Sequence, residues 1–244
     1  MAAVAERRLC IFFEAAGTRY ALEASGVHEV AQPDESDDRR RGHHVLRDLS
    51  ELMGGPPAPR PGTALVLETS PTLAIRVGHV AGVHDAGGMP SFTLPRRLNT
   101  LLSPAIRGAV VMNERLHFEL ETDAVAEGIS APPPVERAGL DGAGPWLRFD
   151  SGAERFAVPL ASVRHVAGLT DAFNPLPRPN ALVGVMLHER TLFPVFSITS
   201  TTPEPFVVLL DLGDGGVGLC ARRADGVSAS IGDAKALDVV KMFS

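Results

Sequence analysis

Polar and apolar positions alternate with a period of two along much of this chain. Arg115-Leu116-His117-Phe118-Glu119-Leu120-Glu121 alternates strictly, which predicts a half-buried strand. Leu73, Ile75 and Val77 alternate in the same way with Thr72, Ala74 and Arg76. The run Phe206 to Leu210 is continuously apolar and predicts a strand covered on both faces. Residues 182–198, LVGVMLHERTLFPVFSI, read as a hairpin: two apolar runs flank His188-Glu189-Arg190-Thr191, and Pro194 interrupts the second run. Proline cannot donate to a ladder, so Pro194 is expected on an edge or at a bulge. Gly213-Asp214-Gly215-Gly216 and Ser70-Pro71 supply turn chemistry. Helical spacing is scarce. Val45, Leu46, Leu49, Leu52 and Met53 show it before Gly54-Gly55, and Pro95 opens a second short candidate with Leu98, Leu101 and Leu102 on one face. Many short strands joined by Gly/Pro turns predict an all-β chain built from barrels or sandwiches.

The pattern occurs twice. At an offset of 136 residues, FEAAGTRYALEASGVHEVA (13–31) lies on FDSGAERFAVPLASVRHVA (149–167), with Phe13 on Phe149, Arg19 on Arg155 and Val30 on Val166. At an offset of 144, residues 63–83 lie on residues 207–227, with Ile75 on Leu219 and Gly82-Val83 on Gly226-Val227. Between the copies, GISAPPPVERAGLDGAGP has three consecutive prolines and no apolar period, the composition of a linker. The expected organisation is a first domain at 7–128, a linker at 129–144 and a second domain at 145–244.

The copies are trimmed differently. The change in offset makes copy 1 shorter by 8 residues between its aligned blocks, where a central hairpin is reduced and DESDDRRRGHH stands in its place. Copy 2 is short at its end: Leu237-Asp238 falls on Leu120-Glu121, and nothing corresponds to RGAVVMNERLHF. A barrel missing strands exposes unpaired backbone, so the open edge of copy 2 is expected to be filled by copy 1, by a second chain in a homodimer, or by a partner strand.

Composition narrows the function. The chain has 244 residues, 45% of them hydrophobic and 21% charged, enough for a substantial core. A net charge of −6 leaves no excess of cations to neutralise phosphates, which argues against nucleic acid as the main partner. Cys10 and Cys220, far apart in sequence, cannot make a disulfide framework; each sits in an apolar run and reads as a buried small hydrophobe. Arg7 and Arg8 precede only five apolar residues, Leu9 to Phe13, too few for a signal-peptide core, and no run approaches a membrane span. A cytoplasmic location is expected. Lysine occurs only at Lys235 and Lys241, the other basic residues being arginine, a bias typical of a GC-rich genome.

Candidate chemistry is thin. His43-His44 beside Asp48 could bind a metal, but adjacent side chains diverge and a solvated loop end accounts for them. Gly213 to Gly216 lacks the Lys-Ser/Thr of a phosphate loop, and no G-x-S-x-G, H-E-x-x-H or C-x-x-C motif is present. The run Asp34 to Arg41 changes sign midway and reads as a solvated or docking loop. No catalytic residue, metal or cofactor is expected, and the chain does not read as an enzyme.

RFAVPLASVRHV, NPLP at 174–177 and GVMLHERTLFPVFSI together resemble the CheW family of chemotaxis coupling proteins. That family's pattern runs Y-A-[IL]-x-[IV]-x-x-V-x-E-[IV], a P-x-P segment, then G-V-[IVL]-N-L-R-G-x-x-x-P-V-x-D-[LI]. Copy 1 resembles it in TRYALEASGVHEV, DLSELMGGP and IRGAVVMNERLHFELETDAVAEG. The resemblance implies two tandem domains, each a pair of small five-stranded SH3-like barrels sharing a core. It also implies a non-catalytic adaptor in bacterial chemosensory signalling, with a CheA-type histidine kinase regulatory domain and a chemoreceptor cytoplasmic tip as partners. The receptor-type surface falls on the hairpin, at Gly184, Val185, His188, Glu189, Arg190 and Pro194. The kinase-type surface falls on Val27 and Glu29 in copy 1 and on Val163 and His165 in copy 2. Departures stand out. Glu189 occupies the position of the arginine linked to receptor contact, Arg190 replaces a glycine so that the tight turn must be rebuilt, and Ser197 replaces an aspartate. The acid retained as Glu29 is His165 in copy 2. A charge reversal of this kind can reject the old partner, so a second reading is a modulator of a kinase or of motility or polarity without receptor coupling. A third is a small-molecule-binding or hydrolytic β-protein using His43, His44 and the acids at 34–38.

Overall fold

The computed structural model describes residues 7–31, 40–41, 44–57, 62–127, 144–170, 172–177, 181–199, 202–212 and 216–238. His43, the acids at 34–38 and Gly213-Asp214-Gly215 lie outside these residues, as does the expected linker save Gly144. The chain divides into two compact units: Met1–Pro132 with Asn174–Arg178, and Pro133–Phe173 with Pro179–Ser244.

The described part of unit 1 contains β1 (Leu9–Ala15), β2 (Thr18–Glu23), β3 (Val27–Ala31), β4 (Arg40–Arg41), β5 (His44–Asp48), β6 (Thr63–Leu67), β7 (Leu73–Val77), β8 (His79–Asp85), β9 (Ser91–Thr93), β10 (Ile106–Met112) and β11 (Arg115–Leu120). Three short helices accompany them, α1 (Leu49–Leu52), α2 (Arg96–Leu101) and α3 (Thr122–Glu127). One sheet has the order β8-β1-β2-β11-β10-β9, and the other β3-β6-β7-β5-β4. The fold is all-β, as the two-residue period predicts. Tyr20, Phe12, Phe118, Leu22, Leu65 and Ile75 are among its fully buried side chains.

Unit 2 contains β12 (Trp146–Ser151), β13 (Glu154–Pro159), β14 (Val163–Gly168), β15 (Phe173–Pro175), β16 (Leu182–His188), β17 (Thr191–Phe196), β18 (Phe206–Asp211), β19 (Gly216–Ala221), β20 (Arg223–Ser228) and β21 (Lys235–Ala236), β15 passing into unit 1 at Asn174. Its sheets run β14-β18-β19-β17-β16-β15 and β20-β12-β13-β21.

The duplication extends to register. Phe12 pairs with Ala21 and Gly82, and Arg148 pairs with Ala157 and Gly226, at the offsets of 136 and 144 seen in the sequence. The ladders even shift at matching places, between Phe12 and Phe13 and between Arg148 and Phe149. Bulges recur likewise between Val27 and Glu29 and between Val163 and His165. One detail is corrected: Glu29 pairs with Val66 and His165 with Leu209, so β6 lies on β18 at an offset of 143. The extra residue is taken up in the turn before β19.

The trimming is visible too. Unit 1 keeps a full β10–β11 hairpin, whereas among the described residues its β4–β5 hairpin has the pairs Arg40↔Val45 and Arg41↔His44. Unit 2 keeps the long β16–β17 hairpin, but the place of β11 is taken by β21, which pairs in parallel with Phe156 and Ala157. Leu237 N then donates to Ala157 O at 2.9 Å. Part of the edge expected to be open is thus covered by the chain's own C-terminal segment. Charges hold that segment down: Arg155 contacts Asp150 at 3.2 Å, Asp225 at 3.4 Å and Asp233 at 3.1 Å, and Lys235 contacts Glu154 at 2.7 Å. The Asp233 carboxyl is held below its ordinary value, first by a backbone hydrogen bond and then by Arg155.

Four expectations need correction. The helix expected over Val45 to Met53 is only Leu49–Leu52; His44 to Asp48 form a strand parallel to β7, in which Leu46 and Asp48 are buried and Arg47 between them is exposed. Asp48 caps the helix, accepting from the amides of Ser50 at 2.9 Å and Glu51 at 3.4 Å. Secondly, β11 is not half-buried: His117 and Glu119 are enclosed along with their apolar neighbours. Arg8 pairs with Glu119 at 2.7 Å, and His117 lies edge-on to Phe12 with ring centroids 5.1 Å apart. Thirdly, β7 is buried along its whole length, Arg76 included. Finally, Pro194 is neither on an edge strand nor at its own bulge. It is buried in β17, opposite Val185, and pairing to the other neighbour, β19, begins one residue later at Val195. The bulge lies on the partner strand, between Leu182 and Gly184.

Burial lowers the His117 pKa to about 4. An unfolded histidine takes up its proton near pH 6.5, so the contribution to stability is complete above that value and is lost as pH falls toward 4, by about 2–3 kcal/mol. Urea melts at pH 7 and pH 4.5 should show His117→Leu to be less pH-sensitive than the parent by that amount.

Candidate docking surface

The strand VRHVAG of β14 follows a 3-10 turn at Leu160–Ser162 and is exposed at Arg164 and His165. The β16–β17 hairpin turns through Glu189 and Arg190, both with positive φ, 46° and 65°. This is the two-residue turn whose twist suits a hairpin, built without glycine. Asn113 and Glu114 make the same turn in the β10–β11 hairpin, at 51° and 63°. The turn is rebuilt around Arg190 by accepting strain.

The hairpin tip and β14 meet. The rings of His165 and His188 stack with centroids 4.8 Å apart and planes 17° from parallel. Arg164 reaches Glu189 at 3.1 Å, and its guanidinium carbon lies 5.7 Å from the centre of the Phe193 ring. His188 meets the Phe193 ring edge-on at 6.5 Å. Five side chains from two elements therefore form one continuous surface, with Phe193 as its buried floor. Glu189 is not a free reversed charge; its carboxylate is neutralised in place by Arg164. Arg190 is exposed beside it.

The remaining sequence-chosen residues sort by depth. Gly184, Val185 and Pro194 are buried and can reach a partner only through the position they give the tip. Val163 is half-buried and His165 exposed. In unit 1, Val27 is half-buried and Glu29 exposed on the matching strand. There the neighbour pairing differs: His28 Nδ1 lies 3.0 Å from a Glu68 carboxylate oxygen. The β3 strand thus presents His28 and Glu29 where β14 presents Arg164 and His165. Sequence reasoning assigned His165 and His188 to separate surfaces and missed Arg164 and Phe193. The neighbouring position in VRHV was the available signal for Arg164; nothing local signalled Phe193.

Among the described residues no group of three or more His, Cys, Asp or Glu side chains is arranged to hold a metal. His44 is placed only as backbone, so the metal reading of His43-His44 falls outside the described side chains. Cys10 and Cys220 are buried and free. Burial raises both thiols, Cys220 to about 11, which suppresses the thiolate and with it nucleophilic chemistry. Among the described residues no helix is long and apolar enough to cross a membrane.

No family model matches the chain, and no curated protein does either. Among solved structures, the chain is similar to the scaffolding protein TtCheW from Thermoanaerobacter tengcongensis. The match has 16% identity and a TM-score of 0.38, covering 49% of this chain and 92% of that one.

Positive φ costs a non-glycine residue roughly 1–2 kcal/mol, partly offset by the greater unfolded-state entropy of glycine. Arg190→Gly should therefore stabilise the protein by about 0.5–1 kcal/mol in denaturant melts. Glu189→Arg should change stability by less than about 1 kcal/mol, because the pair it breaks is solvent-exposed.

Proposed function

We propose that this protein is a non-catalytic, tandem CheW-like adaptor in a bacterial chemosensory system, which recruits a CheA-type histidine kinase regulatory domain. The observation that carries this reading is the meeting of the hairpin tip with β14 through the His165–His188 stack. Both stretches were selected by resemblance, independently, as docking residues, and they form one surface. Repetition of the same strand register in two copies, with different side chains on matching strands, fits a protein whose work is done by surfaces. The two acidic groups near β3 and the cationic and imidazole groups of β14 equip the copies for different partners.

A second reading, a kinase modulator without receptor coupling, is favoured by the Arg164–Glu189 pair. The carboxylate stands where the family places a receptor-contacting arginine, and Arg164 holds it there. Arg190 offers a cation one residue further along.

The two readings separate by binding. Purified full-length protein should retain the kinase regulatory domain in a pull-down or by calorimetry. Retention of a receptor tip as well identifies a coupling protein, whereas retention of the kinase alone identifies a modulator. His165→Ala and Glu189→Arg should each weaken or redirect binding about tenfold while leaving the melting temperature nearly unchanged. Kinase binding unaffected by both substitutions would remove this surface from the function.

A further inference from the structure

Residues 174–177, Asn-Pro-Leu-Pro, belong to unit 1 although the chain reaches them from β14 of the second repeat. Their contacts there have the character of ligand recognition. The side-chain amide of Asn174 makes two hydrogen bonds to one residue: its Oδ1 accepts from Arg19 N at 2.9 Å and its Nδ2 donates to Arg19 O at 2.9 Å. This copies the pairing of a β-ladder one residue before the Phe118–Tyr20 pair of β11 and β2. Asn174 has no exposed surface. One residue on, Pro175 O accepts from the buried Thr18 hydroxyl at 2.7 Å. Leu176 and Pro177 then line a small cavity together with Met53, Leu101, Leu102, Ser103 and Ile106. Gly55 forms the wall: a Cβ there would lie 2.4 Å from both the Pro177 Cβ and the Pro177 carbonyl oxygen.

From this geometry we infer that unit 1 carries a groove that recognises an extended Asn-Pro-x-Pro segment of a protein, occupied in this structure by residues 174–177. The chemistry is specific at each step. Asparagine supplies a donor and an acceptor side by side, which matches a backbone N–H and C=O and nothing apolar. Each residue before a proline is confined to extended geometry, so the segment is ordered before it binds and loses little entropy. The prolines bring no N–H that burial would leave without a partner. The same recognition is not available in the second repeat. Glu154 stands in place of Thr18 and is paired with Lys235, while Arg155, in place of Arg19, is held by Asp150, Asp225 and Asp233. The groove does not depend on the adaptor reading, and failure to bind a kinase would leave it standing.

The test uses the full chain with residues 174–177 replaced by Gly-Ser-Gly-Ser, and a blocked peptide Ala-Phe-Asn-Pro-Leu-Pro corresponding to residues 172–177. Calorimetry or fluorescence anisotropy should show the peptide binding the replaced chain and not the parent, whose groove is filled. Alanine for asparagine in the peptide should weaken binding about tenfold or more through the loss of two hydrogen bonds. Gly55→Ala in the replaced chain should abolish binding. Absence of peptide binding by a replaced chain that still melts cooperatively would overturn the inference, as would equal binding to the parent. A second measurement serves if the replacement unfolds. In Asn174→Ala, hydrogen exchange should accelerate at the Arg19 amide while the Leu22 and Phe118 amides stay protected; an unchanged Arg19 rate would also overturn the inference.

Discussion

The structure depends on one frame: an N-terminal strand of each repeat held between a hairpin partner on one side and a bulged strand on the other. Phe12 sits in that frame between Ala21 and Gly82, and Arg148 between Ala157 and Gly226. Everything added or removed by divergence lies outside it. The frame pairs its central strand on both sides, so losing a hairpin beyond it leaves an edge in need of partners without collapsing the sheet. Unit 1 spends its remaining chain on the β10–β11 hairpin. Unit 2 covers the same edge with two paired residues, one further amide and a set of ion pairs.

The docking surface follows from the complementary retention. A long β16–β17 hairpin reaches far enough to lay His188 on His165 and Glu189 against Arg164. Among the described residues the β4–β5 hairpin is paired at two positions, and β3 keeps an exposed acid, Glu29, beside the His28–Glu68 contact. Divergence of the two copies is thus a matter of loop length first and of charge second. Exposed ion pairs such as Arg164–Glu189 add little stability, so their identity is free to follow partner choice.

Much of this was legible in the chain. The positions of the strands, the hairpin at 182–198 and the burial of both cysteines follow from local pattern, because each depends on neighbours in sequence. The misreadings share a cause. His117 and Glu119 look solvent-facing by alternation, yet a sheet of six strands packed on both faces encloses them, and Arg8 supplies the missing counter-charge. Leu46 and Leu49 share a helical spacing, yet Leu46 lies on a strand paired in parallel with β7 and Leu49 on the short helix that follows. The place of Asn174 in unit 1 rests on contacts to residues more than 150 positions away, and no local window carries them.

Arg148 occupies the site that Phe12 fills in the first repeat. Phe12 is wrapped by the rings of His84 and His117; Arg148 keeps a buried Nε with no hydrogen-bond partner and packs against Gly232. Arg148 is half-exposed, and its guanidinium cannot shed its charge. Two strands of matching register thus carry an aromatic ring at one position and a permanent charge at its equivalent.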